Sequence, residues 1–248
     1  MAEIGGGKFR GVGLLVFDLD GTLIDSEADL ALSMNATLRR CGKDPLPRAV
    51  IASYVGQGVV ALVRRALGQA APDGMTEEAV AYFLEYYRQH MLDHTAPYPG
   101  VRESLDDLSG RKMAVLTNKP VNFSREIIAG LGLDCYFSYI YGGNSFDQKK
   151  PDPAGLFRLM LDTGATATET MMIGDSETDI QTGRNAGTWT CGVTYGIGSN
   201  TLAAAAPDLL LHDLRELPQA LSGRNGSNPL DPRPSAAGGC DGRSGQPE

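Results

Sequence analysis

The sequence predicts an α/β protein, a Rossmann-like doubly wound parallel sheet core with an inserted helical cap domain. Three observations support this. From residue 101 onward, short apolar runs alternate with helical patterns, the order of a parallel sheet covered by helices. The run Leu14-Leu15-Val16-Phe17 shows no polar alternation, as expected of a strand buried on both faces. Between residues 24 and 94 one helical pattern follows another without a convincing strand, so this block reads as an insertion packed over the sheet's carboxyl edge. The boundaries that follow are 1–23 and 97–222 for the core and 24–96 for the helical cap. Residues 223–248 form a tail rich in Gly, Pro, Ser and Asn, without periodicity and expected to be disordered.

Along the chain, the first strand is followed by a helix over 24–41, with Leu30, Met34 and Leu38 spaced at four and Asp25 or Ser26 as its cap. After Pro45 and Pro47 comes a short helix over 48–54, then a tight turn at Val55-Gly56-Gln57-Gly58. A helix over 59–67 places Val59, Leu62, Val63, Ala66 and Leu67 on one side and turns Arg64 and Arg65 away. A loop over 70–74 leads to a long helix over 76–94 capped by Thr76, and Tyr98-Pro99-Gly100 closes the block with a turn. Helices over 101–108, 122–131, 153–161 and 178–185 then interleave with strands over 113–116, 139–143 and 171–173. Gly187 stops the last of these helices, and two further strands follow at 188–194 and 208–211.

The formal charge of −8, with no basic stripe, argues against a nucleic-acid partner. It leaves room for a small anionic substrate, because one local cation can invert the field at a site. Cys41, Cys135, Cys191 and Cys240 are scattered without a C-x-x-C pair, which argues against a zinc site or disulfide framework and fits reduced thiols in the cytoplasm. Residues 1–10 are polar and glycine-rich, unlike a signal peptide, and no apolar run reaches membrane-spanning length. The expectation is a cytoplasmic monomer or homodimer with no membrane partner.

Asp18 and Asp20 close the first apolar run, two residues apart, so both can lean to one side of the strand's end. Two buried carboxylates repel unless they share a cation or one keeps its proton. An ordinary Asp-Gly turn accounts for Gly21 but not for an ionisable pair on an apolar strand. In open α/β sheets ligands sit beyond the carboxyl ends of the strands. Here the other strand ends bring Thr117 and Asn118, then Asp175, with Asp179 one helical turn on and Lys149-Lys150 just before Pro151. Oxygen donors of this kind suit Mg²⁺, and the set as a whole suits phosphoryl transfer, where catalysis is mainly positioning and charge neutralisation. Taken singly, each residue has a plainer reading: Thr117 as a turn residue, the lysines as a solvated pair, Asp175 as the cap of a helix starting near Ser176, and Asp179 as a surface helix residue.

In this order and on these elements, the residues resemble the motifs of the haloacid dehalogenase superfamily. D-x-D-G-T stands as Asp18-Leu19-Asp20-Gly21-Thr22, the strand-closing Ser or Thr as Thr117, the Lys before Pro as Lys150, and G-D-x-x-x-D as Gly174-Asp175-Ser176-Glu177-Thr178-Asp179. The resemblance covers about residues 12–221. It implies that Asp18 is a nucleophile forming an aspartyl phosphate, and that Asp20 protonates the leaving alcohol and then activates water. It also implies Mg²⁺ held by Asp18, the backbone carbonyl of Asp20 and Asp175, phosphoryl oxygens bound by Thr117 and Lys150 with Asn118 beside them, and Asp179 orienting Lys150 or a metal-bound water.

The stretch from Tyr54 to Leu67, together with Thr117-Asn118-Lys119 and Gly174-Asp175-Ser176, resembles bacterial phosphoglycolate phosphatases within that superfamily. This would bring Gly56, Gln57, Gly58 and Arg65 to the substrate's carboxylate, using free N–H groups at a helix start; a plain turn between helices is the alternative there. Other activities of the superfamily stay open: a β-phosphoglucomutase-like isomerase, a pyrophosphatase and a nucleotide monophosphatase. A phosphonoacetaldehyde hydrolase would need a cap lysine, and Lys43 is the only one. A non-enzymatic domain that accepts phosphate on Asp18 would have little use for Asp20 or a helical lid.

Overall fold

The computed structural model describes residues 8–68 and 71–222; the expected disorder of 223–248 and the first part of the 70–74 loop lie outside the described residues. The core is a six-stranded parallel sheet flanked by helices, in the strand order β5-β4-β1-β6-β7-β8. Its strands are β1 (Leu14–Phe17), β4 (Lys112–Leu116), β5 (Tyr139–Tyr141), β6 (Thr170–Gly174), β7 (Trp189–Val193) and β8 (Leu209–Leu211). Every residue of β1 is buried, as its unbroken apolar run predicts. Leu15 and Phe17 enter the larger apolar core, whereas Leu14 and Val16 pack with Ala114, Leu156 and Met172 in a second cluster on the other face.

The helices α5 (Val101–Asp107), α6 (Val121–Gly130), α7 (Ala154–Thr163), α8 (Glu177–Ala186), α9 (Leu202–Ala205) and α10 (Leu217–Ser222) belong to this half. The last two, four and six residues long, are shorter than helical periodicity can register. From β1 the chain builds outward through β4 to β5, then returns to the other side of β1 and builds through β6 and β7 to β8. The direction of winding therefore reverses between β1 and β6, the point where open α/β sheets bind ligands.

Between β1 and β4 stand α1 (Glu27–Arg40), α2 (Arg48–Ala52), α3 (Val59–Leu67) and α4 (Asp73–His90). Met34, Leu38, Ile51, Leu62, Val63, Phe83 and Tyr87 share one continuous cluster with Phe17 and Ile127 of the core. The sequence pattern shows no strand here, but the structure has two: β2 (Ile24–Asp25) pairs antiparallel with β3 (Ala96–Pro97) where the chain enters and leaves the block. A two-residue strand carries no periodicity to read. Ser26 occupies the N-cap of α1 without capping it; its hydroxyl donates to Asp20 instead, while Asp25 accepts from the backbone N–H of Glu27. Thr76 does not cap α4 either. That helix starts at Asp73 behind Pro72, and Thr76 lies inside it with its hydroxyl on the Pro72 carbonyl. Among the described residues, no helix is long and apolar enough to cross a membrane.

The helix α4 also ends at His90, short of the expected His94, because His94 and Thr95 are needed elsewhere. Both backbone N–H groups donate to the buried carboxylate of Asp29 in the first turn of α1, at 2.8–3.1 Å, and the Thr95 hydroxyl adds a bond of 2.7 Å. Asp29 thus ties the outgoing connection of the helical block to the incoming one. Burial opposes its charge, but these hydrogen bonds outweigh burial and hold the carboxyl below its ordinary range. Asp29→Ala leaves two N–H groups without their acceptor and is expected to cost about 3 kcal/mol of unfolding free energy. Because the folded value is the lower one, the carboxylate's contribution is complete above the ordinary carboxyl range and is lost as pH falls through the folded value. Urea unfolding from pH 7 to pH 3 is therefore expected to show a steeper acid loss in the wild type than in Asp29→Ala. Equal stability of the two at pH 7 would refute the clamp.

Candidate active site

Asp18 follows the last residue of β1 and Asp175 follows the last residue of β6, so the reversal of winding sets their carboxylates side by side. With Asp179 they form a buried cluster whose carboxylate oxygens lie within 4.8 Å of one another. Two glycines make this approach possible. Gly21 turns the chain out of β1 with φ +88°, and a Cβ there would collide with the Asp175 carboxylate; a Cβ on Gly174 would collide with that of Asp179.

One ammonium answers the three carboxylates. Lys150 is buried, with its Nζ 2.6 Å from Asp179 Oδ1 and 2.8 Å from Asp18 Oδ1. Burial works against its charge, but Asp179 and Asp18 outweigh burial and hold it protonated. Lys149, the other member of the pair, is exposed. Both Asp179 oxygens are engaged, the second by the backbone N–H and hydroxyl of Ser176 at the start of α8. Asp179 is therefore not a surface residue, and it pairs with the Lys150 ammonium. Asp175 does not cap α8; Ser176 stands at that position. Asp175 instead accepts one bond on each oxygen, from the Gly198 N–H at 2.7 Å and the Thr22 hydroxyl at 3.2 Å.

The charge balance points to a cation. Burial, above all, pushes the Asp18 carboxyl up to about 6, with Lys150 opposing and Asp179 adding to the rise. Burial likewise raises Asp175 well above its ordinary range, reinforced by Asp179 and then Asp18. Asp18 Oδ1 is buried without a hydrogen bond; Lys150 is near it but not aligned with it. An oxygen-only donor set with unfilled lone pairs on Asp18 and Asp175 fits a hard divalent cation such as Mg²⁺.

Asp20 faces the helical block. Its carboxylate accepts from Ser26 at 2.6 Å and from Lys119 Nζ at 3.0 and 3.1 Å, and Lys119 also donates to the Tyr87 hydroxyl of α4 at 2.8 Å. Lys119 is buried and carries no role in the sequence reading, although it precedes Pro120 as Lys150 precedes Pro151. Tyr87 gave no signal of its own, since its ring fits the apolar spacing of α4. Asp18, Asp20, Thr117, Asn118, Lys119 and Tyr87 line one cavity of about 60 Å³, closed on the helical side by Gly56, Gly58, Val59, Leu62 and Phe83.

The remaining expected residues separate. The Asn118 amide is spent on structure, donating to the Gly56 and Lys150 carbonyls and accepting from the Lys150 N–H. Gln57 and Arg65 are exposed, pair with each other at 2.6 Å, and line a separate cleft beside Ser176 and Gly198 rather than the cavity.

Residues 15–193 match the haloacid dehalogenase-like hydrolase family, and the chain belongs to it. Among named relatives, a phosphoglycolate phosphatase of Pseudomonas putida is 39% identical over 213 residues, covering 82% of this chain and 78% of that one. One from Neisseria meningitidis is 39% identical over the same length, covering 82% and 91%. A solved structure described as a predicted phosphoglycolate phosphatase from Haemophilus somnus superposes with a TM-score of 0.81 at 31% identity, covering 84% of this chain and 97% of that one. The resemblance read from the motifs is borne out.

Asp175→Asn removes one charge from the cluster while keeping its shape. The metal-free variant is expected to be at least as stable as the metal-free wild type. Saturating Mg²⁺ should stabilise the wild type by about 3 kcal/mol at a hundred times its dissociation constant and leave the variant unmoved. Thermal melts with EDTA and with Mg²⁺ measure both quantities; equal Mg²⁺ shifts in the two proteins would contradict the assignment of Asp175 as a ligand.

Proposed function

We propose that the protein is a Mg²⁺-dependent phosphatase that hydrolyses 2-phosphoglycolate to glycolate and phosphate. The observation that carries this is the buried set of Asp18, Asp175, Asp179 and Lys150 at the reversal of the sheet, with Asp20 beside it. Mg²⁺, held by Asp18, the Asp20 carbonyl and Asp175, would neutralise the phosphoryl oxygens. Asp18 attacks phosphorus and forms its P–O bond as the ester P–O bond breaks. The departing alkoxide takes its proton from Asp20. Asp20 then removes a proton from water, which attacks the same phosphorus and releases Asp18. Thr117 and Lys150 hold the phosphoryl oxygens through transfer, and Asp179 keeps Lys150 aimed.

The helical block acts as the cap over residues 24–96. Its Val59, Leu62 and Phe83 wall the cavity above Asp20 on the helical side, so it faces the alcohol portion of the substrate. The named relatives support phosphoglycolate as that substrate over the sugar-phosphate and nucleotide alternatives.

The test is Mg²⁺-dependent phosphate release from 2-phosphoglycolate, glucose 1-phosphate, a nucleoside monophosphate and pyrophosphate. The expected result is a kcat/KM for 2-phosphoglycolate at least about a hundredfold above the others, with all turnover lost in Asp18→Asn. Equal turnover of all four would overturn the substrate, and turnover that survives Asp18→Asn would overturn the mechanism.

A further inference from the structure

Resting on that phosphatase reading, we propose that Lys119 is the specificity-determining residue, its ammonium serving as the counter-charge for a carboxylate one carbon beyond the phosphoester oxygen. The cavity above Asp20 is walled largely by carbon, with Val59, Leu62 and Phe83 from the helical block and Phe123 from the core. Among the described residues lining it, Lys119 is the only cation. An ammonium in such surroundings is costly unless it is paired. Here it is held from both halves of the molecule, by the Asp20 carboxylate and by the Tyr87 hydroxyl, whose ring lies 4.6 Å from Nζ.

The distances define the ligand. An ester oxygen that exchanges a proton with Asp20 must lie within about 3.2 Å of that carboxylate. Lys119 Nζ is 3.0 Å from the same carboxylate. In a 2-phosphoryloxy acid the carboxylate is separated from the ester oxygen by a single carbon, so its oxygens reach within about 4 Å of that ester oxygen. The substrate carboxylate can therefore reach ion-pair distance of Lys119 when it lies on the Lys119 side of Asp20. A neutral group in the same place would set carbon against a buried ammonium, and rejection of that kind is stronger than a steric pocket provides. Arg65, the cation expected from sequence, is exposed and turned to the other cleft.

Ethyl phosphate has a methyl group where 2-phosphoglycolate has its carboxylate, so the ratio of the two kcat/KM values isolates this contact from any loss through Asp20. Lys119→Met keeps the apolar stem and removes the charge. The ratio is expected to fall by about thirtyfold or more, chiefly through KM for 2-phosphoglycolate, and Lys119→Arg should restore part of it. Should the Met variant fail to fold, Lys119→Gln supplies the same ratio. Equal losses on both esters would mean that Lys119 only holds Asp20, and would overturn the proposal while leaving the phosphatase reading intact. A wild type without preference for 2-phosphoglycolate over ethyl phosphate would instead overturn that reading.

Discussion

The structure depends on keeping three buried carboxylates beside one ammonium. Asp18, Asp175 and Asp179 crowd within 4.8 Å, and Lys150 is the cation that reaches two of them. Fully ionised, the group carries an excess of two negative charges in a poorly solvated place, a balance that one divalent cation restores. Without it, Asp18 and Asp175 are driven toward their protonated forms. On the proposed function the site trades stability for chemistry: the repulsion that burdens the fold is also what would favour a hard cation and then a phosphoryl group.

The rest of the fold makes that crowding possible. The parallel sheet reverses its winding between β1 and β6, which places two strand ends together, and Gly21 and Gly174 remove the side chains that would keep the carboxylates apart. The helical block shares its apolar core with the sheet and contributes groups to the same space. Three contacts join the halves around the cavity: Tyr87 to Lys119, the Gly56 carbonyl to Asn118, and Ser26 to Asp20. Asn118 also holds the Lys150 backbone, so the position of the helical block and that of Lys150 are linked through one amide.

Much of this was legible in the sequence where several residues obey one constraint. The apolar run ending in Asp18 reads as a buried strand with a carboxylate at its tip, and the alternation after residue 101 reads as a parallel sheet. The pattern runs out where tertiary contacts decide. The β2–β3 pair is too short for periodicity, and α4 stops short of His94 because Asp29 claims the N–H groups of His94 and Thr95. Ser26 has the composition of a helix cap, yet its hydroxyl serves Asp20. Arg65 was expected at the substrate and faces another cleft, while Lys119 went unassigned although it stands beside Thr117 and Asn118. Which way a side chain turns from a loop is set by the partner across the cavity, and the local sequence does not contain that partner.

The proposed mechanism turns on a phosphoryl group carried covalently by Asp18. The most direct measurement is acid quenching of the Asp20→Asn variant with Mg²⁺ and 2-phosphoglycolate, followed by peptide mass spectrometry. One added phosphoryl group is expected on the peptide containing Asp18, absent when Asp18 is also changed to Asn. A phosphoryl group on any other residue, or an unmodified Asp18 in a variant that still releases glycolate, would contradict it.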